Sequence, residues 1–363
     1  MRCQANMIME DYDFHSAFNE RWSPFLKRII RLLSDNSRMS VTSMAKRLGV
    51  SRMTAEKMVR KAEVELGIIY TLELNEAALG LNNQHLILVK FTEKPDYGKV
   101  ARILEGSHIP QVAVRVNGTY DLFVYANAED QNEYVYWDKT TQVLLSEYKA
   151  LWQPSDLAFR HLGFFPIRNA LIERLKIPKI YKDILLLLNE DSRMSFAKMA
   201  ERLGMKPNTL AYNFKKLLKS GYIKRFTMVM RTPQSVSMMS MFGKYVIAKG
   251  FEEDSMRMRR EITFLDDKIP LISRCLFSAQ LIGSYDFFFV GVYDSYDIGY
   301  NRLIKYYRER YKRHKVKVMY GTVGETLLGH FPTRSLDVRG EFNMIRWVPG
   351  VKPRVEKPLE TAS

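Results

Sequence analysis

The stretch LLSDNSRMSVTSMAKRLGVS, Leu32 to Ser51, returns as LLNEDSRMSFAKMAERLGMK, Leu187 to Lys206, at an offset of 155 residues. Two more echoes follow in the same order. GTYDLF (Gly118 to Phe123) returns as GSYDFF (Gly283 to Phe288) at an offset of 165, and GFFP (Gly163 to Pro166) returns as GHFP (Gly329 to Pro332) at 166. Three ordered matches whose offsets drift by short insertions mark the duplication of a unit of roughly 150 residues.

Working outward from the first match, each unit opens with three short amphipathic helices. In unit one these are Phe25 to Leu33, Val41 to Leu48 closed by Gly49 in a left-handed position, and a third helix capped by Ser51 and running to about Leu66. In unit two they are Ile180 to Asn189, Phe196 to Leu203 with Gly204 at the turn, and Pro207 to Ser220, where Pro207 suits a first helical position. The extended stretches IIYTLEL and YIKRFTMVM come next. Three helices with a glycine turn between the second and third, followed by a hairpin-like wing, form the winged helix-turn-helix pattern. A plain three-helix bundle shares the helices, but not the ordered repetition in a basic chain.

The rest of each unit alternates strands with helices. QHLILVKF, YGKVARILEG, QVAVRVN, YDLFVYANA, NEYVYWDKTTQVLLSEY and ALWQPSDLAFRH read β-α-β-β-α-β. KYVIAKGF, SMRMRREITFLDD, ISRCLFSAQL, YDFFFVGVY, YDIGYNRLIKYYRERY and VKVMYGTVGETLL repeat that order. This is the ferredoxin-like sandwich, an antiparallel sheet with helices on one face and a bare face that invites a second sheet. The fold class is therefore α+β, with two winged helix-turn-helix domains each followed by a ferredoxin-like domain. The expected division is an N-terminal extension over 1–24, heads over 25–75 and 178–231, sheet domains over 82–166 and 242–332, and a proline-bearing flexible tail over 348–363.

Composition agrees with a folded chain that meets a polyanion. The 363 residues are 46% hydrophobic and 12% aromatic, which excludes wholesale disorder, and the net charge of +16 favours nucleic acid before membrane. Cys3 and Cys275 are too few for a disulfide framework or a four-ligand zinc site. No sustained apolar segment opens the chain, and the longest aliphatic run, Ile184 to Leu188, is too short for a bilayer span. A cytoplasmic protein is expected, with no metal, cofactor or membrane partner.

The head motif SRMSVTSMAKRLGVS with its following helix, its counterpart SRMSFAKMAERLGMKPNTLAYNFKKLLKSGYI, and the turns GTYDLF and GSYDFF resemble the Lrp/AsnC (feast/famine) regulators of bacteria and archaea. The resemblance covers about Phe25 to Pro332. A typical member resembles one unit and pairs through its sheet domain; here two units share one chain, which implies an internal pseudo-dimer and leaves a further homodimer open. It also implies an effector site near the G-x-Y-D turns, at Gly118, Asp121, Gly283 and Asp286, although glycine and aspartate in a tight turn need no ligand. Siroheme decarboxylases resemble the same regulator family, so an enzyme on this scaffold is the rival. The six histidines show no repeated pairing and no hydrolase or nucleotide motif is present, so no catalytic residue is nominated.

A third helix lying in the major groove of double-stranded DNA turns its first residues toward base edges and its flanks toward phosphates. That nominates Ser51, Arg52, Thr54, Ala55, Lys57, Met58 and Lys61 in unit one, and Lys206, Asn208, Thr209, Tyr212, Asn213, Lys215 and Lys216 in unit two. Arg52 has the fork for guanine, and Asn208 and Asn213 have the amide for adenine. In Ser51 to Leu66, Arg52, Lys57, Arg60 and Lys61 face Glu56, Glu63 and Glu65, a net of +1. In Lys206 to Ser220, Lys206, Lys215, Lys216 and Lys219 face no acid, a net of +4, and Lys224 and Arg225 follow in the wing. The second head is expected to dominate phosphate affinity, on an operator that is an imperfect inverted repeat. The basic run 301–318 reads as a DNA-backbone contact, as a contact for a basal transcription factor or RNA polymerase, or as a solvated helix.

Overall fold

In each head a serine starts the second helix. Ser40 follows a tight turn and accepts the Ser43 N–H at 3.1 Å, starting helix α2 (Val41–Leu48) after α1 (Pro24–Asp35). Gly49, at φ 65°, reverses the chain, and Ser51 caps α3 (Arg52–Leu66) by accepting the Thr54 N–H at 3.1 Å. Strand β1 (Ile68–Leu74) follows. The computed structural model describes residues 24–230, 237–246, 275–293 and 315–330. The tail 348–363, residues 1–23 of the N-terminal extension and the two helices expected over 255–267 and 296–311 lie outside the described residues.

The first sheet unit comprises β2 (Asn83–Phe91), α4 (Tyr97–Glu105), β3 (Pro110–Gly118), β4 (Leu122–Ala128), α5 (Gln131–Leu144) and β5 (Ala150–Leu162). After the short α6 (Asn169–Ile172), the second head runs through α7 (Lys179–Glu190), α8 (Phe196–Arg202), α9 (Pro207–Lys219) and β6 (Ile223–Met230). Ser195 caps α8 as Ser40 caps α2, and Gly204, at φ 61°, repeats the Gly49 turn. The second unit's strands are β7 (Ser237–Val246), β8 (Cys275–Gly283), β9 (Phe287–Tyr293) and β10 (Lys315–Leu328).

Within each unit the strands take the order 2-3-1-4, as β3-β4-β2-β5 and β8-β9-β7-β10. The units then join along both edges, β10 with β3 and β5 with β8, closing an eight-stranded antiparallel barrel. Closure leaves neither sheet an open edge of unpaired backbone groups. Strand β2 is buried on both faces, and its alternation sorts two cores. Leu86 and Leu88 join Phe123, Tyr125 and Phe165 with Phe277 and Phe288 of the second unit inside the barrel. Ile87 and Val89 pack outward under Val100, Leu104, Tyr134 and Trp137 of α4 and α5.

The G-x-Y-D turns sit on the closing seams. Gly118 faces Gly321 across β3 and β10, and a Cβ on Gly118 would stand 2.3 Å from the Tyr320 carbonyl oxygen. At the other seam Gly283 faces Ser155, whose Oγ accepts the Tyr285 N–H at 3.1 Å. Tyr120 and Tyr285, the tyrosines of the two turns, are buried in the inner core.

One expectation is corrected. The wing is not a hairpin within each head. Strands β1 and β6 pair with each other, antiparallel, from Ile68 opposite Met230 to Leu74 opposite Ile223. A lone strand after α3 or α9 leaves its backbone donors and acceptors open, and pairing the two satisfies the facing groups of both. Met228 of β6 thereby enters the core of the first head beside Ile29, Ile30, Leu33, Met44 and Val59.

Candidate nucleic-acid interface

The SRMS motif that marks the repeat docks the two heads. Ser37 and Ser192, 155 residues apart, share a hydrogen bond between their hydroxyls at 2.6 Å. The Ser37 N–H donates to Phe226 O at 3.1 Å, and the Ser192 N–H donates to Tyr70 O at 3.2 Å, the two halves of an approximate dyad. Arg38 reaches across: its Nη1 donates to Ser192 O at 2.7 Å and Met194 O at 3.2 Å, and its guanidinium lies 5.4–5.5 Å from the ring centroids of Phe196, Phe214 and Phe226. Burial pulls its pKa below the usual arginine range, against the opposing field of Asp191. Arg193 returns the contact at 5.0 Å from the Tyr70 ring. Arg38→Ala is expected to cost about 2 kcal/mol through lost charged hydrogen bonds and ring contacts, read as a lower urea midpoint. An unchanged midpoint would remove Arg38 from the docking.

Docking holds α3 and α9 in one frame. On α3, Ser51, Arg52, Thr54, Lys57 and Lys61 are exposed as expected. Ser51 Oγ lies 2.8 Å from Thr54 Oγ1, so the cap and its neighbour partly satisfy each other. Two nominations are corrected. Ala55 is completely buried, because with Val59 and Ala62 it forms the stripe that faces the head's core. Met58 is half-buried and packs on that same core. The outward methionine is Met53, 79% exposed, which the helical pattern alone did not single out.

On α9, Lys206, Asn208, Thr209, Tyr212, Lys215 and Lys216 are exposed. Asn213 is half-buried and donates its Nδ2 back to Thr209 O at 2.9 Å, which ties its amide to its own helix. Lys216 Nζ lies 4.5 Å from the centroid of the Tyr212 ring, and the Tyr212 hydroxyl holds the ammonium above the ordinary lysine pKa.

The wing cations are also corrected. Lys224 Nζ and Arg225 Nε bind the buried Glu73 carboxylate at 3.0 and 2.6 Å, so this pair serves the β1–β6 junction. In head one, Arg60 pairs with Glu56 at 3.0 Å along the exposed helix. The charge contrast between the heads therefore lies on α3 and α9 themselves.

The residues of the G-x-Y-D turns have structural partners. Asp121 accepts the Phe91 N–H at 2.8 Å and Lys90 Nζ at 3.0 Å, which pins the turn to β2. The Asp286 carbonyl accepts the Leu281 N–H at 2.8 Å. Gly118 and Gly283 permit the close strand approach at the seams described above. Among the described residues, no helix is long and apolar enough to cross a membrane.

Comparison with known proteins agrees with this geometry. The winged helix-turn-helix DNA-binding family model matches residues 23–65 and again 179–224, one match for each head. An uncharacterized HTH-type transcriptional regulator of Pyrococcus abyssi is 32% identical over 114 residues, which are 30% of this chain and 76% of that protein. A second such regulator, from Pyrococcus furiosus, is 31% identical over the same length and shares. The crystal structure of the siroheme decarboxylase NirDL has the same fold, at a TM-score of 0.54 and 13% identity over 89% of this chain and 98% of that one. With a winged head matched twice and regulators matched across most of their length, the chain belongs to the HTH-type transcriptional regulators, with two winged heads in one polypeptide.

Proposed function

We propose that this chain is an internal pseudo-dimer that reads an imperfect inverted repeat in double-stranded DNA, with α3 and α9 in two major-groove segments. The observation that supports this best is the dyad contact of Ser37 with Ser192, which docks two heads whose recognition helices carry different side chains. Arg52, Lys57 and Lys61 serve one half-site, assisted by Ser51 and Thr54. Lys206, Asn208, Thr209, Tyr212, Lys215 and Lys216 serve the other. The division into 25–75 and 178–231 as heads and 82–166 and 242–332 as sheet domains belongs to the same reading, as does a cytoplasmic location beside the DNA of a bacterial or archaeal cell.

Modulation extends the proposal without carrying it. The effector positions Gly118, Asp121, Gly283 and Asp286 have the structural partners given above, so a small ligand there would act by loosening a seam. The basic run remains a candidate contact for the basal transcription machinery; 301–314 lie outside the described residues, and Lys315 and Lys317 stand on β10 opposite Val246 and Lys244.

The test is hydroxyl-radical footprinting of the full chain on its strongest genomic site. Two protected segments on one face of the duplex are expected, about 10 base pairs apart centre to centre or a multiple of that. Inserting five base pairs between them moves one half-site to the opposite face, and binding is then expected to fall to the nonspecific level. Equal affinity for the site and for random duplex overturns the proposal.

The fold match to NirDL favours a second reading, catalysis on a tetrapyrrole. Against it, His85 is buried against Asp156 at 2.8 Å and stacked on Tyr134, and His108 pairs with Glu133 at 2.9 Å. Siroheme added to the purified chain decides: a perturbed Soret band with loss of carboxyl mass would establish the enzyme, and neither change would leave the regulator.

A further inference from the structure

We propose that Met53 and Asn208 are the position at which the two heads read different bases, so that the chain binds its operator in one orientation only. This rests on the DNA-reading proposal above and deepens it.

The register between the recognition helices is anchored by their buried sides. At the offset of 155, Ala55 corresponds to Leu210, Val59 to Phe214 and Ala62 to Leu217, and all six are buried. The same offset places Met53 opposite Asn208, both in the first turn of their helix and both exposed. Met53 stands 79% exposed, on the outward face it shares with Lys57, Arg60 and Val64. Val64 is as exposed but lies at the far end of the helix, so Met53 is the apolar side chain that the first turn offers. Its neighbours Ser51 and Thr54 partly satisfy each other, and Arg52 and Met53 are exposed in the same turn. In head two Asn208 is exposed, and its side chain makes no hydrogen bond to another described residue.

The two side chains carry different chemistry to the same place. A thioether with a terminal methyl has no hydrogen-bond donor and packs against the C5-methyl of thymine. A carboxamide offers the paired donor and acceptor that match N6 and N7 of adenine. Where both side chains address the same strand of their half-site, the equivalent A·T pair is inverted between the half-sites, with thymine facing head one and adenine facing head two. A homodimer with identical helices would have no such preference. Here the asymmetry sets which way round the regulator sits on a promoter.

The experiment uses the full chain and the strongest genomic duplex, with thymines replaced singly by uracil and adenines singly by 7-deazaadenine. Affinity is measured by fluorescence anisotropy for the wild type, Met53→Ala, Asn208→Ala and Met53→Asn. One uracil substitution, which deletes a single methyl, is expected to weaken the wild type about three- to fourfold and to have no effect on Met53→Ala. One 7-deazaadenine substitution in the opposite half-site is expected to weaken the wild type about tenfold and to have no effect on Asn208→Ala. Met53→Asn should shift the head-one preference at this base pair from thymine to adenine. A wild type with a preferred site but no uracil position whose effect depends on Met53 overturns this inference alone, as does a Met53→Ala variant that loses affinity equally on every duplex. A wild type with no preferred site overturns the DNA-reading proposal and this inference together.

Discussion

Phe165→Ala is expected to destabilise the chain by about 3–5 kcal/mol, the range for removing a fully buried aromatic side chain from a core that cannot collapse around the void. Phe165 stacks on Tyr125 at 4.4 Å between centroids with an interplanar angle of 20°, and lies 4.3 Å from Phe277 and 6.5 Å from Phe123. Tyr125 and Phe123 belong to the first unit and Phe277 to the second, so one ring spans the junction of the two sheets inside the barrel. Closed on both edges, the eight strands leave little slack for relaxation. Urea unfolding should show a lower midpoint for Phe165→Ala, while Phe165→Leu, which keeps much of the volume, should lose less than half as much. A loss below 1 kcal/mol for the alanine variant would mean that the two sheets do not share this core.

The second large effect concerns DNA. Lys215→Ala combined with Lys216→Ala is expected to reduce affinity on the order of 100-fold, taking about 1.5 kcal/mol for each charged hydrogen bond to a phosphate. The slope of log affinity against log salt should become shallower by about 1.8, the release of counterions at two contacts. Both lysines are exposed on α9, and α9 has no acidic residue. The matching change in head one, Arg60→Ala with Lys61→Ala, should move the slope less, because Arg60 is already paired with Glu56. Equal effects of the two pairs would abolish the claimed asymmetry, and an unchanged slope for the α9 pair would exclude α9 from the phosphate contacts.

The local structure was legible because it is written in local signals. The Ser51 cap, the left-handed Gly49 and the Gly204 turn mark the head helices to within a residue or two. The β-α-β-β-α-β order of extended and helical runs marks the first sheet unit. What was not legible depends on pairing across more than a hundred residues. The β1 and β6 sequences look like halves of local wings, and nothing near them says that each completes the other. Lys224 and Arg225 read as free wing cations because their carboxylate, Glu73, lies about 150 residues earlier. Arg38 was invisible as a docking residue for the same reason.

At the interface itself the difficulty was smaller. The outward face of a helix follows from its period, but Ala55 was misread because a small side chain fits both a base edge and a tight core. Its exposed neighbour Met53 was missed because methionine is ordinarily packed inside. Aligning α3 on α9 through the repeat resolves both, since Leu210, which corresponds to Ala55, is plainly a core residue.

The docking of the heads through Ser37, Ser192 and the β1–β6 pair has a consequence for dosage. A regulator that must find a second copy before it can grip DNA loses occupancy steeply as its concentration falls below the dimerisation constant. On the proposed reading both halves of the grip are synthesised together, and a chain that acts alone would then fill its site along a simple hyperbola in copy number. The two halves are also free to accumulate substitutions independently, because a change in one recognition helix is not copied into the other.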